Sequence, residues 1–179
     1  MSLPRPPIAV KLVLSFIFKE GNDYPAAVLE AEAQYGPLDF MSESLPFDFT
    51  DYYKKEMGKG LRRRMASFQP LISPDQLPAV KLWTNALESR FLNEQGGRKL
   101  NIDPGYLTAA QFILATGKAY SHRLYLRDGI YGDLTLIFQK GVFTPLPWTY
   151  PDYASQPLIG LLSILRQRYL WQLRKQRAT

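Results

Sequence analysis

The chain's single histidine, His122, lies in Lys118-Ala-Tyr-Ser-His-Arg-Leu-Tyr-Leu-Arg-Asp-Gly-Ile-Tyr-Gly-Asp-Leu-Thr135. Asp128-Gly129 suits a two-residue type I′ turn, so the segment is expected to fold as a hairpin. Counting back from Arg127 opposite Ile130 sets Leu124 against Asp133 and His122 against Thr135. Strand alternation then puts His122, Leu124, Leu126, Tyr131, Asp133 and Thr135 on one face, with His122 and Asp133 as diagonal neighbours. A carboxylate beside an imidazole fixes its tautomer, as general acid–base chemistry requires. The same pair serves equally well in a structural hydrogen-bond network, and both roles stay open. Arg123 and Lys118 are candidate clamps for an anion, although alternation points Arg123 away from His122 unless a bulge intervenes.

Other loops carry further candidates. Asp103, in Asn101-Ile-Asp-Pro-Gly-Tyr-Leu107, is either an orienting or metal-binding carboxylate or a plain turn former before Pro104-Gly105. Asp48, Asp51 and Glu56 are hard oxygen donors, but they match no calcium-loop spacing. Asp51 and Tyr52-Tyr53 also read as a helix-end charge and partial core. Trp148-Thr-Tyr-Pro-Asp-Tyr153 either stacks on a base or sugar or staples the last helix to the sheet. Arg62-Arg63-Arg64 can contact phosphates or simply open a solvated strand.

Many chemistries are excluded. The chain has no cysteine, hence no disulfide, zinc ribbon or thiol nucleophile. One histidine rules out H-E-x-x-H zinc sites. Gly117-Lys118 is followed by Ala119, and Gly58-Lys59 by Gly60, so no phosphate loop is present. G-x-G-x-x-G and G-x-S-x-G are also missing. No pattern names a cofactor, and the identity of any metal is unknown.

The elements that must position these residues fit one α+β domain over residues 1–179. Ile8–Phe18 reads as a central strand buried on both faces. A helix follows, capped by Asp23, with Tyr24, Val28, Ala31 and Tyr35 on one side and Gly36-Pro37 as its stop. Leu38–Phe49 and Leu61–Leu71 read as strands. Ser73, Pro74 and Gln76 open a second helix with a capping box and a Val80, Trp83, Leu87, Phe91 stripe. Lys99–Ile102 is a short strand. This β-α-β-β-α-β order suggests a ferredoxin-like split β-α-β core. Leu107–Thr116 is read as a short helix, and the hairpin follows it. A final helix over about 156–175 turns Leu158, Leu161, Leu162, Leu165 and Tyr169 inward.

The segments Phe47–Gly58, Asn101–Leu107, Ser121–Leu126, Gly129–Tyr131 and Pro147–Tyr153, in that order, resemble an uncharacterised prokaryotic family known as a domain of unknown function (family 4416). The resemblance implies a cytosolic protein and selects Asp48, Asp51, Glu56, Asp103, His122, Arg123, Asp133 and Asp152.

Lys11 interrupts the first apolar run, and Gly160 and Ser163 break Leu158–Leu165, so neither a signal peptide nor a membrane span is expected. The net charge of +6 favours an anionic small molecule or weak nucleic-acid binding. The functional expectation is a cytosolic enzyme or binding protein for a phosphorylated or nucleotide-like small molecule. His122, Asp103 and Asp133 are then the catalytic candidates. Arg123, Lys118, Tyr131, Asp48 and Trp148 are the ligand-binding ones. The alternatives are an RNA-binding module and a protein-interaction subunit docking through the last helix.

Overall fold

In a computed structural model, which describes residues 1–21 and 24–178, four helices pack on one nine-stranded antiparallel sheet. The apolar run near the N-terminus becomes β1 (Val10–Lys19), buried along all but its last residue. It lies between β4 (Leu61–Ile72) and β5 (Leu100–Leu107), antiparallel to both. Helix α1 (Tyr24–Tyr35) ends at Gly36, whose φ of 89° releases the chain into Pro37. The Asp23 cap lies outside the described residues.

The strand expected over 38–49 is two short ones, β2 (Leu38–Met41) and β3 (Leu45–Phe47), both paired with β4. Ser42 causes the break. Its backbone N–H donates to Met65 O at 2.8 Å, and its hydroxyl takes the Met65 N–H at 2.9 Å, substituting a side chain for the next ladder bond. Beyond β3, a single turn of helix, α2 (Lys54–Met57), precedes β4. The expected helix start at Ser73 is present. Its N–H donates to Gln76 Oε1 at 3.1 Å, and Pro74–Gln76 forms a 3-10 turn leading into α3 (Leu77–Glu88), which ends before Phe91, the last residue of the expected stripe.

Two expectations are corrected here. Asp103-Pro104-Gly105 is not a turn but the middle of β5. β5 has no strand on its outer side before Gly105, so Pro104, which lacks an N–H, takes nothing from the β5–β6 ladder. Leu107–Thr116 is not a helix: the chain reverses at Thr108 and returns as β6 (Gln111–Thr116). The Thr108 hydroxyl oxygen accepts the N–H groups of Ala110 and Gln111 at 3.1 and 2.9 Å, and buried Phe112 and Leu114 alternate with half-buried neighbours.

β7 (Arg123–Arg127) and β8 (Ile130–Gln139) meet through the expected turn, with φ of 54° at Asp128 and 75° at Gly129. A second such turn, Lys140-Gly141, brings β9 (Val142–Pro145) back along β8. The order across the sheet is β2-β4-β1-β5-β6-β8-β7, with β3 on β4 and β9 on β8.

α1 and α3 cover one face, over Leu12, Leu14, Phe16 and Phe18. α4 (Gln156–Ala178) covers the other, with Leu158, Leu162, Leu165 and Tyr169 on Val13, Met65 and Phe112. Among the described residues no helix is long and apolar enough to cross a membrane.

The sheet forks. β5 and β6 pair only at Gly105–Leu107 and part beyond the Gly105–Leu114 pair, while β5 stays bonded to β1 back to Leu100. At the crotch, a Cβ on Gly105 would stand 2.6 Å from the Ile113 carbonyl oxygen. Gly105→Ala must therefore push the strands apart there, at an expected cost of about 1–3 kcal/mol. Urea denaturation checks this, and an unchanged midpoint would mean that the fork opens freely.

Candidate functional site

A cleft of about 530 Å³ fills the fork. Its floor comes from β4. Alternation with Leu61 and Met65 turns Arg63 inward, while Arg62 and Arg64 face the other way. The Arg63 guanidinium lies between the Phe47 ring, 4.6 Å away, and the Tyr153 ring, 4.8 Å away. Its Nη2 donates to Asp152 Oδ2 at 2.5 Å. Burial pushes the Tyr153 phenol up in pKa. Arg62 is bonded to Ser44 and Arg64 sits over Tyr24, so each arginine of the triplet is engaged within the fold.

On the β5 side, Asn101 Nδ2 donates to Asp103 Oδ2 at 2.7 Å, and Lys81 reaches Asp103 Oδ1 from α3 at 3.5 Å. Arg98 braces this wall. It grips both Glu56 oxygens at 2.8 Å and also bonds Glu88 Oε2 at 3.1 Å and Asn101 Oδ1 at 2.9 Å. Arg98 holds the Glu56 carboxyl below the usual carboxylate range, whereas burial raises that of Glu88.

On the β6 side, the chain leaves Thr116 through Gly117 to Lys118, whose ammonium donates to the Tyr52 hydroxyl at 3.0 Å and lies 4.4 Å from that ring's centre. This bond lowers the Tyr52 pKa. Lys118→Met is expected to return the Tyr52 hydroxyl toward its ordinary value of 10.0. Ultraviolet titration of parent and variant, each with and without Tyr52→Phe, reads that shift.

The hairpin supplies the last wall and departs from the expected register. Arg127 pairs with Ile130, but Tyr125 pairs with Tyr131, Leu124 with Gly132 and Arg123 with Asp133, so Leu126 is bulged. The bulge turns Arg123 onto the face of Asp133, which simple alternation had denied it. Arg123 Nε donates to Asp133 Oδ2 at 2.8 Å, its Nη2 to the Tyr150 hydroxyl at 2.9 Å, and its Nη1 to Lys118 O at 3.0 Å. His122 also meets Asp133, with Nε2 3.4 Å from the same oxygen. The Trp148 ring stacks on His122 at 5.0 Å and 12°, and its Nε1 donates to Leu134 O at 2.8 Å.

Of the residues selected from sequence, Asp103, Asp133, Arg123, Lys118 and Asp152 line the cleft. His122 and Trp148 stand behind Asp133 and are not on the lining. Tyr131 packs edge-on to Tyr125 at 5.3 Å, also off it. Asp48 is exposed just after β3, Asp51 pairs with Lys54, and Glu56 binds Arg98, so these three carboxylates do not converge. Among the described residues no group of three or more acidic or histidine side chains is placed to hold a metal ion.

Sequence reasoning overlooked Lys81, Asn101 and Arg98 as site residues, read Tyr53 as partial core and left Tyr153 between stacking on a ligand and stapling the last helix. Arg63 had a readable signal in its apolar neighbours at period two. Arg98 had none, because its partners lie 42 and 10 residues away.

No curated protein and no solved structure matches the chain. The sequence model of a family described as a domain of unknown function (DUF4416) matches residues 8–169, and the chain therefore belongs to that family.

Proposed function

We propose that the chain is a cytosolic binding protein or enzyme that takes a phosphorylated or nucleotide-like small molecule in the forked cleft. The observation that carries this is the state of the cations lining it. Arg63, Lys81, Arg98 and Arg123 each have a carboxylate partner. Lys118, at the mouth, has a phenol hydroxyl but no carboxylate within ion-pair distance among the described residues. It is the cation left to receive an incoming anion. The aromatic rings of Phe49, Tyr52 and Tyr150 beside it suit a planar or sugar-like body. Asp103 and Asp133 face that body. His122 and Arg123 hold Asp133 in place, which gives the histidine a positioning role.

The sheet order β2-β4-β1-β5, with α1 and α3 on one face, supports a ferredoxin-like split β-α-β core beneath the cleft.

Calorimetric titration with ribonucleoside 5′-monophosphates and inorganic phosphate tests the function. Parent protein is expected to bind at least one of them with salt-sensitive affinity. Lys118→Met is expected to weaken binding by about tenfold or more. Unaltered affinity in that variant would sink the role of Lys118, and absence of binding to all probes would sink the small-molecule assignment.

A further inference from the structure

Three buried polar atoms at or just beneath the floor of the cleft meet no partner at hydrogen-bond distance and angle among the described residues: Ser15 Oγ, Arg63 Nε and the Tyr153 hydroxyl. Their residues are between 1% and 3% exposed. Arg63 and Tyr153 both line the cleft, and the guanidinium carbon is 4.8 Å from the Tyr153 ring centre. Ser15 sits on β1 with Met65 of β4 on one side and Asp103 of β5 on the other. Ser15 is not on the cleft lining, but its hydroxyl acts on Tyr153 as a weak side-chain hydrogen-bond partner that partly offsets the burial raising the phenol's pKa. Buried groups of this kind carry a desolvation cost unless something bonds to them, so three together mark a place prepared for a visiting polar group.

The charges around them say which kind. Arg63 is already neutralised by Asp152, and Asp103 stands across from Ser15, so a second full anion would meet carboxylates on two sides. An uncharged oxygen would not. Two hydroxyls and one N–H offer donors to a carbonyl or hydroxyl oxygen, and the hydroxyls can also accept from a ligand hydroxyl.

Building on the assignment of the cleft to a phosphorylated small molecule, we infer that the cleft is polarised: its floor, made by Ser15, Arg63 and Tyr153, receives an uncharged oxygen-bearing end of the ligand, while the phosphate stays at the mouth on Lys118. The ligand class is then a phosphate monoester of a polar, ring-bearing alcohol, of which the ribonucleoside 5′-monophosphates are accessible representatives. Free phosphate satisfies only the mouth.

The test compares the four ribonucleoside 5′-monophosphates with inorganic phosphate on parent, Tyr153→Phe and Ser15→Ala proteins. Parent is expected to prefer at least one nucleotide over phosphate by about tenfold or more. Each variant is expected to lose most of that preference while its affinity for phosphate stays the same. In the free protein, Tyr153→Phe is expected to keep or raise the thermal midpoint, because the hydroxyl has at most a weak contact with Ser15 to lose. A preference untouched by both variants, or a nucleotide bound no more tightly than phosphate, overturns the floor and leaves the mouth standing. A fall of several degrees in the Tyr153→Phe midpoint, or failure of that variant to fold, makes the hydroxyl structural and also overturns it. Binding of neither probe overturns the cleft assignment itself, and the floor with it.

Discussion

Replacing Asp152 by alanine is expected to cost the fold about 3–5 kcal/mol, the range for breaking one half of a buried ion pair. Its partner Arg63 comes from a strand 89 residues earlier in the chain, and the two side chains are only 9% and 4% exposed. Without Asp152 the guanidinium keeps the Phe47 and Tyr153 rings beside it but loses its bonded counter-charge. The large term is thus the stranded charge rather than the lost bond. It follows that removing both charges should do less harm than removing one. The double variant Arg63→Met, Asp152→Leu is expected to regain much of the loss by filling the space with apolar atoms. Urea denaturation of the two single variants and the double measures this. If Asp152→Ala lost less than about 1 kcal/mol, water in the cleft would have to be screening the Arg63 charge.

The second large effect is at Arg98, and its signature is pH dependence. Arg98→Met is expected to lose about 2 kcal/mol at neutral pH. Most of this comes from Glu88, whose side chain is 6% exposed. The Glu56 contacts are about one-third exposed, screened by solvent and worth less. The two carboxyls respond to acid in opposite ways. Glu56 is held below its ordinary 4.5 by Arg98, so in the parent its contribution is full above 4.5 and fades as the pH falls through its lower folded value. Glu88 is raised above 4.5 by burial, so the folded state takes up its proton first, and the cost of burying its charge is relieved while the pH is still above 4.5. Removing Arg98 takes a compensating cation from Glu88 and pushes it further up. The deficit of the variant should therefore shrink on acidification from neutral, beginning above 4.5. Denaturation at pH 7 and near pH 5 reads the difference, and an equal deficit at both would remove Glu88 from the account.

His122 and Asp133 show how far local pattern reaches. Asp128-Gly129 named the turn and so put the two residues close in space, but the imidazole reaches the carboxylate, at 3.4 Å, from the turn before β7 and not through the expected strand register. Arg123 shows where it stops. A single bulged residue, Leu126, moves every side chain beyond it to the other face, and nothing in the period of Arg123-Leu-Tyr-Leu-Arg127 announces an extra residue. The segment 107–116 failed for a related reason. A short apolar stretch with three alanines fits helix and strand alike, and pairing with β5 and β8 decides for strand.

The sequence by itself determined the buried central strand, the first helix with its stop at Gly36, the start of the second helix at Ser73, the type I′ hairpin and the inward face of the last helix. Each of these depends on residues within one turn or a few positions of one another, where backbone preference and hydrophobic period act directly. The tertiary structure alone decided the fork between β5 and β6, the seating of Arg63 on Asp152 and the bracing of the wall by Arg98. Those are made by residues tens of positions apart, and a chain records such partners only in its packed form, because a charge is held in a core by whatever the fold carries to it.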